Sequence, residues 1–148
     1  MSDVLLITGG SRGIGAATAI CAAKKGWDVA INYARDAEAA KKVSNEVNAF
    51  GRRSITIKGD MTSEDDILKM FEQVESELGH IKGLVNSAGT TGKTARVENM
   101  TALAIRQILE LNVVGLILCC REGVRRMSTV NGGTGGYIVN VGSAASRL

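Results

Sequence analysis

The segment Thr8-Gly9-Gly10-Ser11-Arg12-Gly13-Ile14-Gly15 constrains this chain more than any other, because its glycines join a short apolar run to an alanine-rich helix. A strand that turns sharply into a helix needs a residue able to take a positive φ, and Gly9 supplies it. Gly13 leaves room for backbone amides to approach a pyrophosphate, and Gly15 lets the helix lie close against the strand. The helix amino terminus, with its unpaired N–H groups, then faces that anion. Ser11, Arg12 and Ile14 fill the turn and are expected beside the same ligand. The spacing G-x-x-x-G-x-G differs from the commoner G-x-G-x-x-G, so the assignment rests on the strand before it and the helix after it.

The rest of the chain repeats that alternation. Val4–Thr8, Asp28–Tyr33, Ser54–Lys58, 84–86 and 137–141 are short, mostly apolar and bounded by Gly, Asn, Asp or Ser, as strands buried in a parallel sheet are. Ala40, Val43, Val47 and Phe50 recur at helical spacing, and so do Ile67, Met70, Phe71, Val74 and Leu78. Thr62 or Ser63 caps the second of these helices ahead of an acidic first turn. The expected fold is α/β, a doubly wound parallel sheet of the Rossmann type, in one dinucleotide-binding domain over residues 1–148.

A single helix is expected over about 101–127. Residues 113–120 are apolar on nearly every side, broken only by Gly115. Such a helix needs cover on two faces. The sheet supplies one, and the same helix of a second subunit is expected to supply the other, giving a homodimer or homotetramer. Gly115 would let the sheet or the partner backbone approach closely.

Composition closes other routes. The 148 residues are 45% hydrophobic and 22% charged, ordinary for a globular domain. The net charge of +3 is dispersed rather than gathered in a basic block, so no nucleic-acid partner is expected. The apolar run 113–120 is too short to suggest a membrane span, and no leader pattern precedes the first strand. Cys21, Cys119 and Cys120 read as small core residues in a reducing compartment, so the expected location is cytoplasmic. His80 reads as a surface residue with no metal role.

Taken together, Thr8-Gly9-x-x-x-Gly13-Ile14-Gly15, Asp60 after the third strand, Asn86-Ser87-Ala88-Gly89 after the fourth, Asn112 in the long helix and Ser143 after the fifth resemble the short-chain dehydrogenase/reductase family. The likeness runs the length of the chain and implies five of that family's seven strands. It implies that Asp60, with Met61 beside it, meets the adenine. Asn86, Ala88 and Gly89 would border the cofactor and brace the sheet, and Thr8 would hold that segment. The family's usual second Asn is Ser87 here.

An NAD-preferring enzyme ends its second strand with an acidic residue for the ribose 2′-hydroxyl. Asn32 is read at that place, and Arg12 and Arg35 would attract a 2′-phosphate. NADP(H) is therefore the expected cofactor.

Ile105, Ile108, Leu109 and Leu116 share a helical face with Asn112, which would turn its amide inward, where it needs hydrogen-bond partners. The resemblance implies that Asn112 shapes the helix and holds a water in a proton relay. Ser143 would stand at the carboxyl edge of the sheet and donate to the oxygen of a small carbonyl or alcohol substrate. In the family a Tyr-x-x-x-Lys pair follows that serine, and no such pair lies between Ser143 and Leu148. The chain is expected to bind cofactor better than it catalyses, and to be a portion of a longer polypeptide whose substrate resembles those of 3-oxoacyl-carrier-protein reductases or sugar and polyol dehydrogenases. Two other readings compete. One is a dinucleotide-binding sensor that has lost the chemistry. The other is a P-loop nucleotidase built on Ser87-Ala88-Gly89-Thr90-Thr91-Gly92-Lys93-Thr94, which lacks the leading Gly and an early helix.

Overall fold

The computed structural model describes residues 2–143. The chain alternates strands β1 (Val4–Thr8), β2 (Asp28–Tyr33), β3 (Ser54–Lys58), β4 (Ile81–Asn86) and β5 (Tyr137–Asn140) with helices α1 (Gly13–Lys24), α2 (Ala37–Ala49), α3 (Glu64–Glu77), α4 (Ala102–Leu109) and α5 (Leu116–Met127). All the strands pair parallel in the order β3-β2-β1-β4-β5. Chain growth therefore reverses between β1 and β4. The loops that follow these two strands diverge and open a crevice at the carboxyl edge of the sheet.

Strand alternation sorts the core into two layers. Val4 and Leu6 of β1 join Phe71, Val74, Leu84 and Cys119 under α3 and α5. Leu5 and Ile7 join Ala19, Ala23, Val43 and Val47 under α1 and α2. Every residue of the central β1 is buried. The expected doubly wound parallel sheet is thus present.

Several local expectations change. β4 begins at Ile81, earlier than its apolar run suggested, because Ile81 and Gly83 pair with Val4 and Leu5 of β1 across a register shift that passes over Lys82. β5 is covered on one side only: Ile138 packs under α5, whereas Tyr137 and Val139 are exposed among the described residues. Phe50 caps the end of α2 on the surface, with the Lys24 ammonium 5.4 Å from its ring centroid. Cys21 is exposed on α1, so it is not a core residue, while Cys119 is buried and its thiol is pushed up to about 12, first by burial and then by Cys120 and Glu122.

The helix over 101–127 is the largest departure. It is interrupted by a π-helical turn, Glu110–Gly115, which separates α4 from α5. By length and composition the run Ala102–Met127 is apolar enough to cross a membrane. Its second half, however, buries Cys119, Gly123 and Met127 against the protein. It also buries Glu122, whose Oε1 accepts from Arg121 and Arg125 at 3.0 and 2.8 Å and whose Oε2 accepts from Arg126 at 2.6 Å. α4 buries no residue, and Leu103, Ile105, Leu109, Val113 and Ile117 stay exposed.

Candidate cofactor and active site

The crevice is an open groove of about 820 Å³. One wall comes from the glycine turn, the end of β2 and the segment after β3. The other comes from 87–90, the start of the π-turn and Val141.

The glycine turn takes the conformation its sequence demands. Gly9 has φ +63° and Gly13 φ +56°, both in the region that L side chains avoid. A Cβ on Gly15 would lie 2.4 Å from the Gly9 carbonyl oxygen, so only glycine lets α1 close on the strand end. Nothing lies within 4 Å of where a Gly13 Cβ would be, and the space before the helix is open. The start of α1 is also unlike that of its neighbours. Asp36, Ser63 and Thr101 cap α2, α3 and α4 with side-chain oxygens, whereas Arg12 gives α1 no side-chain cap and its first turn holds no acid. Its N–H groups and the positive end of the helix dipole are left for an anion. Ser11, Arg12, Gly13 and Ile14 all line the groove.

Asn32 has a bridging task that the sequence reading did not include. Its side chain is buried; Oδ1 accepts the Gly9 N–H at 3.1 Å, and Nδ2 donates to the carbonyls of Gly59 at 3.0 Å and Ile57 at 3.4 Å. With both ends of its amide engaged, Asn32 also lines the groove. It shares that wall with Ala34, Arg35 and Asp36 together with Arg12. Asp36 turns Oδ1 to the Ala39 N–H at 2.9 Å as the cap of α2.

After β3, Asp60 and the buried Met61 both line the groove. Asp60 Oδ1 accepts from the Thr62 N–H and hydroxyl at 2.9 and 2.8 Å, while its own N–H donates to Asp66 Oδ2 at 2.8 Å. The residue both caps a turn and faces the groove. Across the crevice, Thr8 Oγ1 accepts the N–H groups of Ser87 and Ala88, each at 3.2 Å, which fixes the segment ending at Gly89. Asn86 is buried and donates to Asn140 Oδ1 at 2.9 Å, bracing β4 to β5.

Asn112 does not enter the apolar core. The supposed inward face includes Ile105 and Leu109, which are exposed. Its amide instead grips the backbone of Thr90: Oδ1 accepts the N–H at 2.8 Å and Nδ2 donates to the carbonyl at 2.7 Å. Ser143 lies exposed just beyond β5. Because Asn140 pairs in register with Asn86, the segments carrying Ser143 and Ala88 leave the sheet side by side. The structure thus brings the glycine turn, Arg35, Asp60, Met61, Ala88 and Gly89 around one crevice. It does not bring Lys93 there as a phosphate loop would: the Ser87 to Thr94 segment runs on as an irregular loop, exposed from Gly89 onward, with α4 starting only at Ala102. His80 is exposed, with Nδ1 3.8 Å from Glu75.

Gln107, Glu110 and Leu111 also line the groove and were not singled out from the sequence. Their i, i+3, i+4 spacing marks one helical face, which was the available signal.

The chain belongs to the short-chain dehydrogenase/reductase family: the family model described as short chain dehydrogenase matches residues 3–148. This is a family of oxidoreductases that bind nicotinamide cofactors. Among curated proteins, the chain is 44% identical over 145 residues to the uncharacterized oxidoreductase YgfF of Escherichia coli (strain K12), covering 98% of this chain and 59% of that protein. It is 38% identical over 143 residues to the 3-oxoacyl-[acyl-carrier-protein] reductase of Rattus norvegicus, covering 97% and 57%. Among solved structures, a short-chain type dehydrogenase/reductase from Mycobacterium marinum superposes with a TM-score of 0.91 at 32% identity, covering 99% of this chain and 57% of that one. The chain therefore spans a little over half the length of the relatives it matches.

Proposed function

We propose that this chain holds NADP(H) and that the protein transfers hydride between that cofactor and a small carbonyl or secondary alcohol. The observation that carries the reading is the uncapped start of α1 opening into the groove beside two arginines. The N–H groups of residues 13–15 would take the diphosphate, and Arg12 and Arg35 the 2′-phosphate. Asp60 and Met61 would border the adenine, and Ala88 and Gly89 the far ribose. When bound, the dinucleotide supplies or accepts the hydride. Ser143 would orient the substrate oxygen by hydrogen bonding, and Asn112 would hold the Thr90 backbone that closes that side of the crevice.

The uncovered apolar side of α4 and α5, with Leu109, Val113 and Ile117 exposed, supports a homodimer or homotetramer formed through that helix. The free cysteines fit a reducing compartment, and we place the protein in the cytoplasm. Titration of NADPH and NADH fluorescence tests the cofactor assignment. Arg12→Ala should weaken NADPH at least about tenfold while changing NADH little, and equal losses would refute the phosphate role.

A further inference from the structure

The π-turn touches both walls of the crevice. Gly115 is buried, and a Cβ there would lie 2.1 Å from the Met61 carbonyl oxygen and 3.1 Å from its carbonyl carbon. The obstacle is backbone, so no rotamer change relieves it. Three residues earlier, in the same turn, Asn112 holds the Thr90 backbone from both sides. One turn later, Cys119 Sγ lies 3.7 Å from Met61 Sδ. An extra residue in a helix rotates everything after it by about 100°. Here that rotation lets the end of the π-turn and α5 present Gly115 and Cys119 to Met61 while Asn112 still reaches Thr90.

Met61 is in turn continuous with the adenine wall. It follows Asp60, whose N–H is fixed by Asp66 and whose carboxylate is fixed by Thr62. It follows Gly59, whose carbonyl is fixed by Asn32. The segment is tied down at each of these points, so a push on the Met61 carbonyl displaces the groove lining as a unit.

We propose that Gly115 is a positioning residue for adenine recognition. By admitting the Met61 carbonyl against the π-turn, it sets where Asp60 and Met61 stand relative to the opposite wall. This rests on the dinucleotide reading above, and Gly115 itself does not line the groove.

Adenosine diphosphate, common to both nicotinamide dinucleotides, is the probe. Gly115→Ala should weaken its binding at least about tenfold, the scale expected when a contact surface shifts by a fraction of an ångström. Gly123→Ala serves as the control on the same helix: its Cβ would meet only side-chain ends, those of Leu84, Met127 and Ile138, at 3.1 to 3.4 Å. It should cost stability yet leave affinity within about twofold. In the unmutated protein, adding adenosine diphosphate should shift the Gly115 amide resonance, a readout that needs no variant to fold. If the probe does not bind the unmutated chain, the dinucleotide reading itself fails. If it binds while the Gly115 resonance stays still, or while folded Gly115→Ala binds equally well, the positioning role is overturned.

Discussion

The side chain of Asn32 ties the glycine turn to the exit of β3, accepting the Gly9 N–H with Oδ1 and donating to the Gly59 carbonyl with Nδ2. One buried amide therefore fixes two segments that border the groove. Asn32→Ala would leave a buried donor and acceptor without partners and should cost about 2–3 kcal/mol in urea unfolding. Asn32→Asp should not restore this, because a carboxylate cannot donate to Gly59 and would be charged in a buried site. Full stability in either variant would show that the bridge contributes nothing.

Thr8→Val keeps the shape of a buried side chain but removes the oxygen that accepts from Ser87 and Ala88. We expect a loss of about 1–3 kcal/mol on thermal or urea unfolding, together with weaker dinucleotide binding. Unchanged affinity would show that the 87–89 segment is held without that hydroxyl.

Gly13→Val places a β-branched residue at φ +56° and fills open space in front of the helix start. The backbone penalty alone is about 1–2 kcal/mol, and the added methyls stand where a diphosphate would lie. Dinucleotide binding, followed by fluorescence titration, should fall below detection. Affinity equal to that of the unmutated chain would remove the basis for the redox assignment.

The carboxyl of Glu122 is pushed up by burial, the largest influence on it. Hydrogen bonds from Arg126 and Arg121 and the charges of Arg126 and Arg125 outweigh that and hold it below the ordinary Glu value. A carboxyl with a lowered folded pKa contributes stability that is complete above its unfolded pKa and disappears as pH falls through the folded one. Acidification below the usual Glu range should therefore destabilise the protein more than it destabilises Glu122→Gln. At neutral pH that variant should already be weaker by about 1–2 kcal/mol, since Arg126 loses one charged partner while keeping Glu75 at 3.1 Å. Urea midpoints that run parallel with pH in the two proteins would dismiss the ion cluster as a source of acid sensitivity.

Charge placed on the exposed side of the long helix should separate subunits. Val113→Glu and Ile117→Glu change positions that are open in the single chain, so folding should survive while sedimentation shows a smaller particle. A chain that sediments as a monomer before mutation would remove the interface.

The glycine turn and the first three strands could be read from sequence because their determinants are local. Glycine tolerance, β-branched runs and capping residues such as Ser63 all act within a few positions. What stayed hidden depends on distant contacts. That Asn32 spends its amide on the glycine turn and the exit of β3 is decided by strand parity and by partners at Gly9 and Gly59. The start of β4 at Ile81 is set by pairing with β1, which overrides a lysine and a glycine. The π-turn carries no local mark, because its extra residue is accommodated by Met61 and Thr90, which the periodicity of residues 101–127 does not encode. Asn112 stands out in the sequence as an amide within an apolar helix, but its grip on the Thr90 backbone depends on a loop whose path the helix does not encode.

The strand order divides authorship of the crevice. One bank is written by residues 9–62 and the other by residues 87–141, two stretches of chain that mutation can alter separately. Drift on one bank need not disturb the other, except at crossings such as the one where a glycine in the later stretch rests on a carbonyl of the earlier one. That contact makes the two histories answer to each other.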